Sequence, residues 1–102
     1  MAHRPVLILE NAYRFKKKDV PITAIEIDIM YWLAENLTDG GVAEMLTYKA
    51  PYINKRIGIL YIKTGCSTHA GLMAFAFKYG LLFYVDGVLM KWKTNTEPEE
   101  EK

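Results

Sequence analysis

From Met45 to Val85 the chain contains no aspartate or glutamate, while Lys49, Lys55, Arg56, Lys63 and Lys78 all lie inside that stretch. Such a one-sign field is what a polyanion-binding surface needs, because each neutralised phosphate releases condensed counterions. Cys66 is the only cysteine, which excludes an internal disulfide and a CxxC metal knuckle and suits a reducing cytosol. The apolar runs, such as Ile57 to Ile62 and Leu81 to Val85, are far too short to span a bilayer. The opening MAHRPVLILENAY has a four-residue apolar run and no small-residue cleavage pattern, so it does not read as a signal peptide. No P-loop, nucleophile elbow or paired-carboxylate signature occurs, and the chain does not read as an enzyme.

What is present is 102 residues and 11.7 kDa, the size of a single domain over residues 1–96. A core fits, with little to spare, so a partner subunit is expected. The net charge of +1 hides an asymmetry: Glu97, Glu99, Glu100 and Glu101 against Lys102 give the tail −3, leaving +4 on residues 1–96. The polar, acidic tail from Thr94 to Lys102 is expected to be disordered.

Val6-Leu7-Ile8-Leu9 reads as a short strand between Pro5 and Glu10-Asn11. Tyr13 to Lys18 is a second short strand or a basic connector, either solvated or a phosphate-contacting arm. Thr23-Ala24-Ile25-Glu26 is a capping box, predicting a helix from there to about Asn36. Thr38 is placed to cap a second, short helix through Leu46, weakened by Gly40-Gly41 in its first turn. After a turn at Thr47 to Ala50, a third helix is predicted from about Pro51 to Lys63. Its Ile53, Ile57, Leu60 and Thr64 form one inward stripe, and Gly65 is its stop. Ser67 is placed to cap a fourth helix from Thr68 to Tyr79, apolar nearly all round, which predicts burial on two sides. Leu81 to Val85 and Val88 to Trp92, joined by Asp86-Gly87, predict a hairpin with a type I′ turn. Val6 to Leu9 is its expected third strand.

Residues Ile22 to Leu82 resemble the LuxR/GerE-type helix-turn-helix domain without a gap. The family's leucine-threonine start followed by a glutamate is matched by Ile22-Thr23-Ala24-Ile25-Glu26. Its LAEGLSNKEIAxxL stretch is matched by Leu33 to Leu46, read as LAENLTDGGVAEML, and its SxxTVKxHLxxIxxKLG by Lys49 to Gly65, read as KAPYINKRIGILYIKTG. Its closing AxxxGLI is matched by Ala76 to Leu82, AFKYGLL, and about 60% of the chain is covered in all. The polar positions depart from the family: the serine cap of the recognition helix is Lys49, the threonine is Tyr52, the lysine is Asn54 and the histidine is Arg56.

The resemblance implies a mainly α fold: a four-helix LuxR/GerE-like core over residues 22–82, an added N-terminal β-strand with its connector (5–18) and a C-terminal β-hairpin (81–92). It also implies a homodimeric transcriptional regulator that binds double-stranded DNA in the cytoplasm, at the nucleoid. The third helix would lie in the major groove, with Asn54, Lys55 and Arg56 at base edges and Gly58 allowing the backbone to approach. Tyr48, Lys49, Tyr52 and Lys63 would supply phosphate contacts. Leu72, Met73, Phe75, Ala76 and Tyr79 on the fourth helix would form the dimer interface. With no room for a sensing domain, regulation would come from abundance, dimerisation or a partner protein. The exposed Ile59 and Ile62 and the acidic tail point to a second expectation, an adaptor or antiactivator that binds a regulatory protein. His69 has no metal-ligand companion and Cys66 reads as a buried thiol, so no metal, cofactor or small-molecule ligand is expected.

Overall fold

The structure, a computed structural model, describes residues 6–9 and 20–92. Eight elements follow in order: β1 (Val6–Leu9), β2 (Val20–Thr23), α1 (Ala24–Ala34), α2 (Asp39–Leu46), α3 (Ala50–Thr64), α4 (His69–Lys78), β3 (Leu82–Val85) and β4 (Val88–Lys91). The basic connector and the acidic tail foreseen in the sequence lie outside the described residues.

Local chemistry sets most of these limits. Thr23 Oγ1 accepts the Glu26 amide at 3.3 Å while Glu26 Oε1 accepts the Thr23 amide at 3.0 Å, so the capping box forms as the sequence predicts. Thr38 Oγ1 accepts from the Gly41 amide at 3.1 Å and starts α2. Thr68, rather than Ser67, caps α4, accepting from the Gly71 amide at 3.0 Å. Lys49 precedes α3 with no side-chain capping bond. At the hairpin turn Asp86 has φ 51° and Gly87 φ 80°, the paired left-handed conformations of a type I′ turn.

The core is a single cluster drawn from β2, the four helices and the hairpin. It is centred on Ile22, Ile29, Met30, Ile53, Leu60 and Leu72, all fully buried. The inward stripe of α3 is Ile53, Ile57, Leu60 and Thr64, as read from the sequence. Thr64 is tolerated inside because its hydroxyl donates to the Leu60 carbonyl at 2.8 Å. α2 packs on α3, while α1 and α4 carry the hairpin. Lys91 on β4 bonds Asp28 on α1 and lies 5.4 Å from the centre of the Tyr31 ring, which fixes the hairpin to that helix. The Trp92 amide donates to the Leu81 carbonyl at 2.8 Å and continues the pairing beyond β4.

Two expectations are corrected. β1 does not join the hairpin; it pairs antiparallel with β2, in the register Val6↔Thr23 to Leu9↔Val20. The segment Val20–Thr23 is extended up to its cap, and Pro21 sits at an edge-compatible place in a two-stranded ribbon. The second correction concerns α4. Leu72, Phe75 and Ala76 are buried within the same chain, against α1, α3 and the hairpin, so they cannot form a dimer interface. Met73 and Tyr79 are half-buried against the core, Tyr79 with its ring 4.7 Å from that of Phe75. α4 is buried on two sides, as foreseen, but both sides are supplied in cis. Phe75→Ala is therefore expected to lower unfolding free energy by about 3–5 kcal/mol in a denaturant titration, whatever the oligomeric state.

Candidate nucleic-acid interface

α3 is amphipathic, and once its apolar stripe is buried two polar faces remain. One turns outward: Pro51, Asn54, Lys55, Gly58 and Ile62 are all exposed, at spacings of three, one, three and four. That is a single helical stripe. A Cβ built on Gly58 would meet nothing within 4 Å, so the centre of the stripe is an open strip of backbone. Asn54 and Lys55 flank it, and Ile62, at 70% exposure, ends it.

The other polar face turns inward. Glu26, at the start of α1, is completely buried. Arg56 Nη2 donates to its Oε2 at 2.5 Å, and Lys63 Nζ donates to Oε1 and Oε2 at 2.8 and 2.9 Å. Positions 56 and 63 lie two helical turns apart, so both reach one carboxylate across the α1–α3 interface. Both side chains keep under a fifth of their surface exposed. Of the residues expected at DNA, the structure thus removes Arg56 from the base-facing set and Lys63 from the phosphate-facing set. A single carboxylate serves two cations, and Arg56 Nε is buried without a hydrogen-bond partner. The same Glu26 also closes the capping box.

Asn54, Lys55 and Gly58 stand where the sequence reading put them, on the outward stripe. Lys49 is exposed just before α3, whose first turn carries no acidic residue. An α-helix N-terminus with no side-chain cap, beside a lysine, favours anions. Tyr48 and Tyr52 stack with ring centroids 4.8 Å apart and an interplanar angle of 27°. With Thr47 and Lys49 they line a recess of about 360 Å³ at the turn between α2 and α3. The arrangement can seat a phosphate chain at the start of α3 and base edges along its stripe.

His69 Nε2, at the start of α4, lies 3.3 Å from Asp39 Oδ1, at the start of α2. The Tyr61 hydroxyl is held above its ordinary pKa by burial first, then by the Asp39 carboxylate and Cys66. Cys66 is half-buried and free, its thiol near the Thr64 carbonyl. Among the described residues no three His, Cys, Asp or Glu side chains gather as a metal site, and no helix is long and apolar enough to cross a membrane.

The sequence reading missed the Glu26 cluster. Its one available signal was the capping glutamate itself, an acid on a helix otherwise apolar on its inner side. No family model, curated protein or solved structure matches this chain.

Proposed function

We propose that this protein is a small homodimeric DNA-binding transcriptional regulator of LuxR/GerE type, with α3 as the helix that enters the major groove. The observation that carries the reading is the outward stripe of α3, where Asn54 and Lys55 flank the open backbone at Gly58. A bidentate amide suits adenine and an amine suits guanine O6 and N7, and such pairs are the usual means of direct readout. Lys49, Tyr48 and Tyr52, at the turn and the first turn of α3, supply the phosphate contacts that set register. Because Arg56 and Lys63 are committed to Glu26, the readout surface is smaller than the resemblance implies. The reading assigns the chain no catalysis and no cofactor, and a location in the cytoplasm at the nucleoid.

The test is fluorescence anisotropy against a labelled mixed-sequence duplex over a series of salt concentrations, with Lys55→Ala alongside. Binding is expected to weaken steeply with salt, and Lys55→Ala to reduce the log–log slope by roughly one unit or weaken binding across all salts. Absence of binding at low salt from folded protein contradicts the reading. Arg56→Ala is a poor probe, since it also strips Glu26 of a partner.

One observation favours a second reading, an adaptor or antiactivator. Ile62 is the most exposed large apolar side chain on α3, which suits a protein partner better than a phosphate groove. In that case Ile62→Lys abolishes capture of the partner, whereas it leaves or strengthens duplex binding if DNA is the ligand.

A further inference from the structure

We infer that the recess between α2 and α3 takes one unpaired nucleotide of a bound strand, its base against the Tyr48–Tyr52 wall and its phosphate at Lys49. The inference rests on the DNA reading above and names the form of nucleic acid that this surface favours.

The recess is more than a phosphate contact requires. A backbone phosphate is met by the Lys49 ammonium and the tyrosine hydroxyls, groups that serve equally well on a flat surface. The chain builds a concavity of about 360 Å³ instead, at the small end of the range for ligand sites, roughly 300–1,000 Å³. Among the described residues it is lined by Thr47, Tyr48, Lys49 and Tyr52, which are two aromatic rings, a threonine, one cation and no acid. A planar aromatic group that carries a negative charge matches all of them, and a nucleotide is such a group.

The turn orders this wall in advance. Thr47 ends α2 with φ 60° and ψ 39°, the left-handed region in which a β-branched residue is uncommon. The Tyr48 amide donates to the Ala43 carbonyl at 2.9 Å and fixes the reversal. Tyr48 is thereby brought onto Tyr52, with ring centroids 4.8 Å apart and planes inclined at 27°. Ordered aromatic rings are the platform on which unpaired bases stack, with little regard to base identity because every base has a π face.

Position joins the recess to the outward stripe. Tyr52 stands one turn before Lys55 on α3, and Lys49 and Pro51 are exposed beside it. A strand whose paired part lies along Asn54, Lys55 and Gly58 therefore passes the mouth of the recess, which favours a nucleotide of that strand over a free one. A fully paired duplex keeps its bases inside the stack. An unpaired base is already out of its pair and is extruded at less cost.

The test is fluorescence anisotropy on three labelled duplexes of one sequence: continuous, carrying a single-adenine bulge, and carrying an abasic residue in place of that adenine. The bulged duplex is expected to bind at least about fivefold more tightly than the continuous one, the lower end of what one stacked base supplies. The abasic duplex, interrupted in the same way but without the base, is expected to lose that gain. Tyr52→Leu is expected to abolish the difference between bulged and abasic duplexes. Tyr52→Phe, which keeps the ring, is expected to preserve it, with thermal melts showing both variants folded. Equal affinity of the wild type for bulged and abasic duplexes overturns the inference, as does a gain that survives Tyr52→Leu. Adenosine monophosphate that shifts the Tyr52 amide in a ¹H–¹⁵N spectrum, while the bulge gains nothing, overturns the strand-borne site in favour of a free nucleotide. Binding of the continuous duplex with no gain from the bulge sinks only this inference. Binding of the bulged duplex alone sinks only the major-groove reading, and binding of none sinks both.

Discussion

Glu26→Ala is expected to be among the most damaging single substitutions in the chain, lowering the unfolding free energy by about 3–5 kcal/mol. The carboxylate is fully buried and neutralises Arg56 and Lys63, each largely withdrawn from water. Its removal leaves two cations facing each other across a space that held their shared partner, and it also opens the capping box at Thr23. Against a typical domain stability of about 5–15 kcal/mol, such a loss is a large fraction of the whole. Urea titration followed by circular dichroism measures it. Glu26→Gln keeps an acceptor for the Thr23 amide and loses only the charge, so it is expected to fall between wild type and Glu26→Ala. The ordering matters more than the absolute values. If Glu26→Ala is no less stable than wild type, the α1–α3 ion cluster is not what joins those helices.

The second large effect is opposite in kind, on binding and not on folding. Gly58→Glu is expected to reduce duplex affinity by roughly two orders of magnitude at low salt, because it sets an acid against the phosphates and fills the open backbone of the stripe. The fold has no reason to object. Nothing lies within 4 Å of a Cβ at this position, and a helix interior prefers almost any side chain to glycine by about 0.5–1 kcal/mol. A thermal melt and an anisotropy titration of the same variant therefore move in opposite directions. Loss of both together would make Gly58 a packing residue; retained affinity would remove the stripe from the interface.

How far the sequence discloses this depends on the range of the interaction concerned. The capping box at Thr23 and Glu26, the Thr38 cap, the four-residue stripe of α3 and the Asp86-Gly87 turn are all set by neighbours within a turn or two, and each is found where its pattern places it. The orientation of Arg56 and Lys63 is different in origin. Both belong to a face that reads as a basic DNA surface, and only the approach of Glu26, 30 and 37 residues earlier in the chain, draws them inward. Helical phase sets Arg56 beside the inward stripe and Lys55 opposite it, but nothing local shows that a buried acid meets Arg56 there. The partner of β1 is likewise nonlocal: Val6 to Leu9 suits either ribbon, and Val20–Thr23 is short, contains Pro21 and merges with a helix cap. On α4 the apolar circumference foretells burial on two sides without saying whether a second subunit supplies one of them. Here the hairpin and α1 do so from within.

The consequence for function is a division of labour along α3. One face joins the core, one is spent on an internal ion cluster, and the narrow outward stripe stays exposed, where the proposed reading sets the duplex. The most direct test is a ¹H–¹⁵N correlation spectrum of the labelled protein, titrated with a mixed-sequence duplex. The account predicts that amide shifts concentrate at Lys49, Asn54, Lys55 and Gly58, with the side-chain signals of Arg56 and Lys63 little moved. Shifts centred on the hairpin or on α4, or none at all, would contradict it.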